Sequence, residues 1–262
     1  MSPETDWELI RTLAQRVLER GEPLELTEDT RALLRRSAHD VAIPPQEAED
    51  ALCGVTTATP LLQEIRRRIR DGSRRLTRAM NRASDLHEAG DMAGARKVME
   101  DVLAMEVVPL YREQAEFVLE ETDRLEAVRT RGRIDPELNA WAQVRALVQR
   151  LQQGHALELN EAMRDFLRRT APTVAFGETE TEAALESREG TEVLLGKMLE
   201  RIHGGKGRIL QALERMTLLR DAGDLAGARK QMEDVLAVEV VPLFRKMAEE
   251  NLVGLDGLPP TP

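Results

Sequence analysis

The sequence predicts an all-α protein made of two tandem homologous helical-bundle domains, each carrying one long helix of about 30 residues. Three observations predict it. Residues 90–116 return as 223–249, shifted by 133 positions, with 21 of 27 positions identical. Apolar residues recur at three- and four-residue steps along nearly the whole chain, the spacing of one helix face. No stretch alternates apolar and polar residues between turn signals, as a hairpin of strands would. With 262 residues and a repeat of domain length, two domains follow. Hydrophobic residues make up 42% and aromatics only 3%, so the cores are expected to be Leu, Ala, Val and Met, a composition that suits helices.

The first helix is read from Trp7, Ile10, Leu13, Ala14, Val17 and Leu18 and is stopped by Gly21. Its second copy runs from Trp141 through Val144, Leu147, Val148 and Leu151 to Gly154, one residue shorter. Leu-Glu-Leu follows in both copies, and Thr27 or Asn160 is placed to cap the next helix. That helix carries Leu33, Leu34 and Ala38, matched by Phe166, Leu167 and Ala171, and closes on Val41-Ala42-Ile43 or Val174-Ala175-Phe176. Pro44-Pro45 opens a short helix in the first copy, whereas Gly177-Glu178 predicts a looser connection in the second.

The long helix is read from Pro60 onward, through Leu62, Ile65, Ile69, Gly72, Leu76, Ala79, Ala83 and Leu86. Its partner uses Leu195, Met198, Ile202, Gly205, Ile209, Ala212, Met216 and Leu219. Glycine in mid-helix costs roughly 1 kcal/mol against alanine. Gly72 and Gly205 therefore mark a close approach of another backbone or a kink, with a break into two helices as the competing reading. Gly90-Asp91 and Gly223-Asp224 turn the chain, glycine ending one helix and aspartate capping the next. A further helix ends near Val108-Pro109 or Val241-Pro242, and a last one starts at Leu110 or Leu243. In the first copy it runs on past Leu119 and Leu125 toward Gly132, and Asp135-Pro136 reads as the start of copy two. The domains are placed at 1–131, with 120–134 a helical linker region, and at 135–252. Residues 253–262 lack periodicity and read as a disordered tail.

The pattern Ala89-Gly90-Asp91-x-x-x-Ala95, with Val-Leu and a proline downstream, resembles one tetratricopeptide-type hairpin per copy, without a run of three repeats. A second resemblance covers nearly the whole chain. It takes in Trp7, Gly21, Leu24-Glu25-Leu26-Thr27, Leu33-Leu34, Val41-Ala42, Leu61-Leu62-Gln63-Glu64-Ile65, Asp71-Gly72-Ser73, the run from Gly90-Asp91 to Pro109-Leu110-Tyr111-Arg112, and Ala115-Glu116. On these residues the chain resembles the bacterial DUSAM family, a duplicated module of unknown function. Copy two keeps Trp141 and the stretch 223–249 but has Gly-Gly-Lys-Gly at 204–207. The resemblance implies a duplication in a soluble bacterial protein and supplies neither an activity nor site residues.

Charge and chemistry narrow the function classes. The net charge of −10 divides evenly, 21 basic and 26 acidic residues in 1–133 against 16 and 21 in the rest. This opposes binding to nucleic acid, where phosphate contacts dominate affinity, and to anionic membrane. No apolar run approaches the ~20 residues of a membrane span, and the acidic start Met1–Trp7 has no apolar core, which predicts a cytoplasmic protein without a signal peptide. Chemistry shared by two copies should place like residues at matched positions. The histidines do not match: His39, His87, His155 and His203 face Pro172, Arg220, Glu22 and Arg70, and the single cysteine, Cys53, faces Glu186. No catalytic, cofactor-binding or metal-ligating residue is assigned, no cofactor is expected, and the protein is read as a non-enzyme.

The copies do share charge: Asp91/Asp224, Arg96/Arg229, Glu100/Glu233, Asp101/Asp234, Glu106/Glu239, Arg112/Arg245 and Glu116/Glu249. These are expected to cap and pair helices, with a repeated polar binding face as the functional alternative. Arginines 66, 67, 68, 70, 74, 75 and 78 crowd the first long helix; the overall negative charge makes a solvated face pairing with acidic neighbours the expectation, and the alternative is a phosphate or nucleic-acid surface, for which no aromatics are interleaved to stack bases. Trp7 and Trp141 are expected to anchor cores. The function predicted is a protein–protein interaction or scaffolding module with an unknown protein partner. The alternative is an acidic, immunity-type protein that neutralises a basic toxin or nuclease. Oligomeric state stays open.

Overall fold

A computed structural model describes residues 7–256, and among these every regular element is helical. The chain divides into two units, Met1–Asp123 and Arg124–Pro262. The first unit holds α1 (Glu8–Ala14) with a π turn (Gln15–Glu19), α2 (Glu28–Asp40), α3 (Pro45–Ala51), α4 (Val55–Ala89), α5 (Met92–Met105) and the start of α6 (Pro109–Arg131). The second holds the end of α6, α7 (Ala140–Gln152), α8 (Glu161–Thr170) with a 3-10 turn (Ala171–Val174), α9 (Glu178–Leu185), α10 (Arg188–Asp221), α11 (Leu225–Val238) and α12 (Pro242–Asp256). No helix in the described residues is long and apolar enough to cross a membrane.

Each unit is organised on its long helix. Leu62, Ile65, Ile69, Gly72, Leu76, Ala79 and Ala83 are buried along α4, and Leu195, Met198, Ile202, Gly205, Ile209, Ala212 and Met216 along α10. Leu86 and Leu219 are partly buried against the respective cores. Burying a side chain as Leu62 or Met198 are buried contributes roughly 1.5–3 kcal/mol each. Thr27 and Asn160 cap α2 and α8, accepting from the Thr30 amide at 3.2 Å and the Met163 amide at 3.0 Å. Asp91 and Asp224 cap α5 and α11 through the Gly94 and Gly227 amides at 2.8 and 2.7 Å. Gly90 and Gly223 take φ of 78° and 83°, the left-handed conformation that ends a helix at lowest steric cost.

The structure departs from the sequence reading at several points. α4 starts at Val55 and holds Pro60 in its second turn, giving 35 residues; α10 has 34. Neither long helix breaks at its glycine, and what approaches Gly72 and Gly205 is an aromatic ring, not a backbone. Gly177 does not loosen its connection, for α9 is a helix of 8 residues against 7 in α3. Asp135-Pro136 forms a turn, and Asn139 caps α7 through the Trp141 and Ala142 amides at 3.0 and 3.1 Å. Asp135 is held there by both nitrogens of the Arg124 fork at 2.8 Å, which keep its carboxyl below the usual range. Residues 124–131 of the stretch read as a linker place Leu125 and Val128 in the second unit's core. Residues 253–256 belong to α12, where Leu255 is buried, and the remaining tail positions lie outside the described residues. Ala42 and Ala175 both take positive φ, 59° and 64°, ending α2 and the 3-10 turn where glycine is usual.

Candidate functional site

The feature that both units build alike, and display outward, is the connection between their last two helices. In the first unit this is Met105-Glu106-Val107-Val108-Pro109, and in the second Val238-Glu239-Val240-Val241-Pro242. Proline lacks an amide hydrogen and fits the first helical position, so it starts α6 and α12. It also disfavours helical conformation at the residue before it, Val108 or Val241; the chain is already extended at Glu106 and Glu239, with ψ of 131° at both.

The extended stretch frees two amides, and the glutamate takes them back. Glu106 Oε1 accepts from the Val107 and Val108 amides at 2.9 and 2.8 Å, and Oε2 accepts from Arg75 Nη1 at 2.5 Å. Glu239 repeats this with the Val240 and Val241 amides at 3.0 and 2.8 Å and with Arg208 Nε and Nη2 at 3.0 and 2.8 Å. The Glu106 side chain is 2% exposed and that of Glu239 0%. A buried carboxylate is tolerable only with its charge paired and its lone pairs satisfied, and both conditions are met here. From the outer side Arg112 donates to the Leu103 and Glu106 carbonyls at 2.6 and 2.9 Å, and Arg245 to those of Leu236 and Glu239 at 2.8 Å each. These guanidinium groups satisfy carbonyls that α5 and α11 leave open at their ends.

Beneath the turn lies the aromatic ring that explains the mid-helix glycines. A Cβ on Gly72 would stand 2.5 Å from Tyr111 Cδ2 and 3.0 Å from Glu106 Oε2; one on Gly205 would lie nearer still to Phe244 Cδ2 and 3.1 Å from Glu239 Oε2. Tyr111 packs edge-on to Trp7 at 5.4 Å, and Phe244 packs on Trp141 at 5.5 Å. The Tyr111 hydroxyl donates to the Ile69 carbonyl at 2.9 Å, and its burial pushes the phenol pKa up. Trp7 is buried, while Trp141 is half-buried and donates to Thr173 Oγ1 at 2.9 Å.

Pinned from below, the turn holds two apolar side chains in solvent. Met105 and Val107 are 64% and 51% exposed; Val238 and Val240, at the matching positions, are 62% and 51%. Beside Met105 and Val107 in the first unit lies a notch of about 200 Å³ whose other walls are Arg67, Arg68, Asp71 and Arg75. Among the residues singled out from sequence, the arginines of α4 divide. Arg66 pairs with Glu19, Arg67 and Arg68 with Glu64, Arg70 with Asp71 and Arg75 with Glu106; Arg74 and Arg78 make no ion pair with a described residue. Hydrogen bonds from Arg67 and Arg68 hold the Glu64 carboxyl down at about 2. The shared charges form Arg96–Glu100 and Arg229–Glu233 contacts at 3.3 and 3.9 Å and Lys97–Asp101 and Lys230–Asp234 at 2.6 and 2.9 Å; Arg112 lies 3.8 Å from Glu116. His39 is exposed with Nδ1 3.7 Å from Asp40, His87 shares a hydrogen bond with Thr122 at 3.0 Å, and His155, His203 and Cys53 are exposed. Among the described residues no three His, Cys, Asp or Glu side chains are grouped to hold a metal ion.

Sequence reasoning missed the partners of several arginine pairs with the 133-residue period, among them Arg35 and Arg168, which bind Glu49 and Glu182. Arg31 and Arg164 donate to the Leu52 and Leu185 carbonyls at the ends of α3 and α9. Arg68 reaches the Val41 and Ala42 carbonyls at 3.0 and 2.8 Å, and Arg201 those of Val174 and Ala175 at 3.0 and 2.6 Å. Arg75 and Arg208 hold the buried glutamates. The signal was available, since each pair is the same residue type at the repeat spacing.

Compared with protein-family models, residues 5–122 and 139–255 each match the family described as protein of unknown function (DUF2379). The match supports one uncharacterised domain present twice; it does not carry the name DUSAM. No curated protein and no solved structure matches.

Proposed function

This chain belongs to the DUF2379 family through both its halves, and we propose that it acts as a non-enzymatic protein–protein interaction module that docks its partner on the two α5–α6-type turns. One observation carries the reading. The same two positions are apolar and more than half exposed in both copies, on a turn held rigid by a buried, fully bonded glutamate. Isolated exposed apolar residues are ordinary, but a rigid apolar pair repeated at matched positions suits an interface anchor. The first unit flanks its pair with arginines, and Met and Arg are both enriched at interface centres. Two such turns on one chain raise avidity for a partner with repeated sites wherever both can engage.

The test is affinity purification of the full chain from native lysate beside the variant Met105→Asp, Val107→Asp, Val238→Asp, Val240→Asp. The expected result is one protein recovered near stoichiometry with the natural chain and lost from the variant, with helical circular dichroism unchanged. Recovery of no such protein, or equal recovery by the variant, contradicts the docking surface. A small molecule turned over by the purified chain contradicts the non-enzymatic assignment.

A further inference from the structure

The two copies also differ in chemistry on another flank of α4, between that helix and α1. A groove of about 450 Å³ opens there in the first unit, with Arg11, Gln15, Glu19, Arg66, Arg70 and Arg74 on its walls and Ile10 and Ile69 in its floor. We propose that this groove binds a compact anion bearing two or more phosphates, and that the second unit lacks the site. The inference is independent of the docking surface.

The first observation is an insertion. Copy one has one residue more than copy two between its tryptophan and the glycine that ends the segment. The structure absorbs that residue as the π turn Gln15–Glu19, whereas α7 is regular α-helix from Ala140 to Gln152. π turns are rare and frequently lie at functional sites; this one closes the end of α1. It places Gln15 and Glu19 in the groove wall.

The second observation is the stripe Arg66, Arg70, Arg74. Residues four apart share a helix face, and like charges at that spacing oppose folding. The fold does not require them, because Leu199, His203 and Gly207 occupy the same positions in α10, which is equally continuous. Intramolecular partners account for Arg66, paired with Glu19, and for Arg70, paired with Asp71. Arg74 and Arg11 make no ion pair with a described residue, and both are exposed. Four arginines against Glu8 and Glu19 leave the groove positive on a chain whose net charge is −10.

The chemistry of the donors names the ligand class. Guanidinium forks meet phosphate oxygens two at a time, and Thr12, Gln15 and Ser73 add neutral hydrogen-bonding groups to the lining. The volume lies within the range of small-molecule sites. Nucleic acid fits poorly, for the groove wall offers no aromatic ring on which a base could stack.

The test is isothermal titration calorimetry of the full chain with inorganic pyrophosphate and inorganic triphosphate at near-physiological salt. The expected result is saturable binding at one site per chain. Arg74→Gln should weaken it about tenfold, and the triple variant Arg66→Leu, Arg70→His, Arg74→Gly, which installs the residues of copy two, about a hundredfold or more. Both should keep the helical circular dichroism of the natural chain. Absence of saturable binding by the natural chain, two equivalent sites per chain, or undiminished binding by folded Arg74→Gln would overturn the proposal. So would binding of single-stranded oligonucleotide or phosphatidylserine vesicles, sensitive to Arg74→Gln, in the absence of binding to either phosphate probe.

Discussion

Replacing Gly72 with alanine reverses the usual sign of a helix substitution. In an exposed helix interior, glycine to alanine gains up to about 1 kcal/mol through the lower entropy of the unfolded chain. At Gly72 the new methyl carbon would stand 2.5 Å from Tyr111 Cδ2 and 2.7 Å from Cε2, with the Glu106 carboxylate at 3.0 Å. Two contacts keep the ring from yielding: its edge-on packing against Trp7 at 5.4 Å and its hydroxyl bond to the Ile69 carbonyl at 2.9 Å. Overpacking of this kind costs about 1–3 kcal/mol, so against that gain the net effect is a loss of up to about 2 kcal/mol, or up to roughly 8 °C for a unit of this size. Gly205→Ala meets its ring more closely, but Phe244 has no hydroxyl tether and Trp141 beside it is half-buried, so the ring can yield and the loss should be no larger. Gly196→Ala and Gly207→Ala, where nothing stands within 4 Å of the added carbon, should each gain about 0.5–1 kcal/mol. The assay is urea unfolding followed by tryptophan fluorescence, one tryptophan lying in each unit. Trp141→Phe isolates the first unit's transition and Trp7→Phe the second's, so no single unfolding free energy has to be assumed for the whole chain. Tyr111→Leu should relieve Gly72→Ala, with a coupling of at least about 1 kcal/mol. If Gly72→Ala proves as stabilising as Gly207→Ala, the ring is not seated on the glycine and the packing account of both units fails.

Other expectations follow from the same contacts. Glu239→Gln keeps the shape but places a neutral amide against Arg208 and the Val240 and Val241 amides, and should cost about 2–4 kcal/mol by urea unfolding of the second unit. Asp91→Ala and Asp224→Ala should each cost about 1 kcal/mol in their own unit, and nearly the same amount, because the two caps have the same geometry. Acid should weaken the first unit partly through Glu64. Its folded pKa of about 2 lies below the ordinary 4.5, so its contribution is complete above about pH 5 and is lost as pH falls toward 2. Glu64→Gln should flatten the first unit's stability profile over that window and leave the second unit's unchanged, since Lys197 stands at the matched position; a profile that keeps its slope would show the pairs with Arg67 and Arg68 to be too weak to matter.

What was legible in the sequence was what local chemistry decides. The caps at Thr27, Asn160, Asp91 and Asp224 and the seam on the long helices rest on residues within a turn or two of each other, and the repeat is a match of sequence to sequence. The meaning of Gly72 was not legible, because the ring that fills its place arrives two helices later. Glu106 was expected to cap or pair, but its partner Arg75 lies 31 residues away, so only the tertiary arrangement shows it buried. The one-residue mismatch between the first helices was visible as a gap, but a gap does not say whether a helix ends early or bulges. Ala42 and Ala175 occupy a backbone conformation that local preference assigns to glycine, so no rule of residue type could mark them. Exposure of Met105 and Val107 was equally hidden, since apolar residues at helix spacing read as core.

The central claim, that a buried glutamate pins each apolar turn, is tested most directly by hydrogen exchange at the Val108 and Val241 amides. Both should exchange as slowly as the helices around them, and Glu106→Gln and Glu239→Gln should each speed exchange in the altered unit alone. Fast exchange at both amides in the natural chain would contradict it.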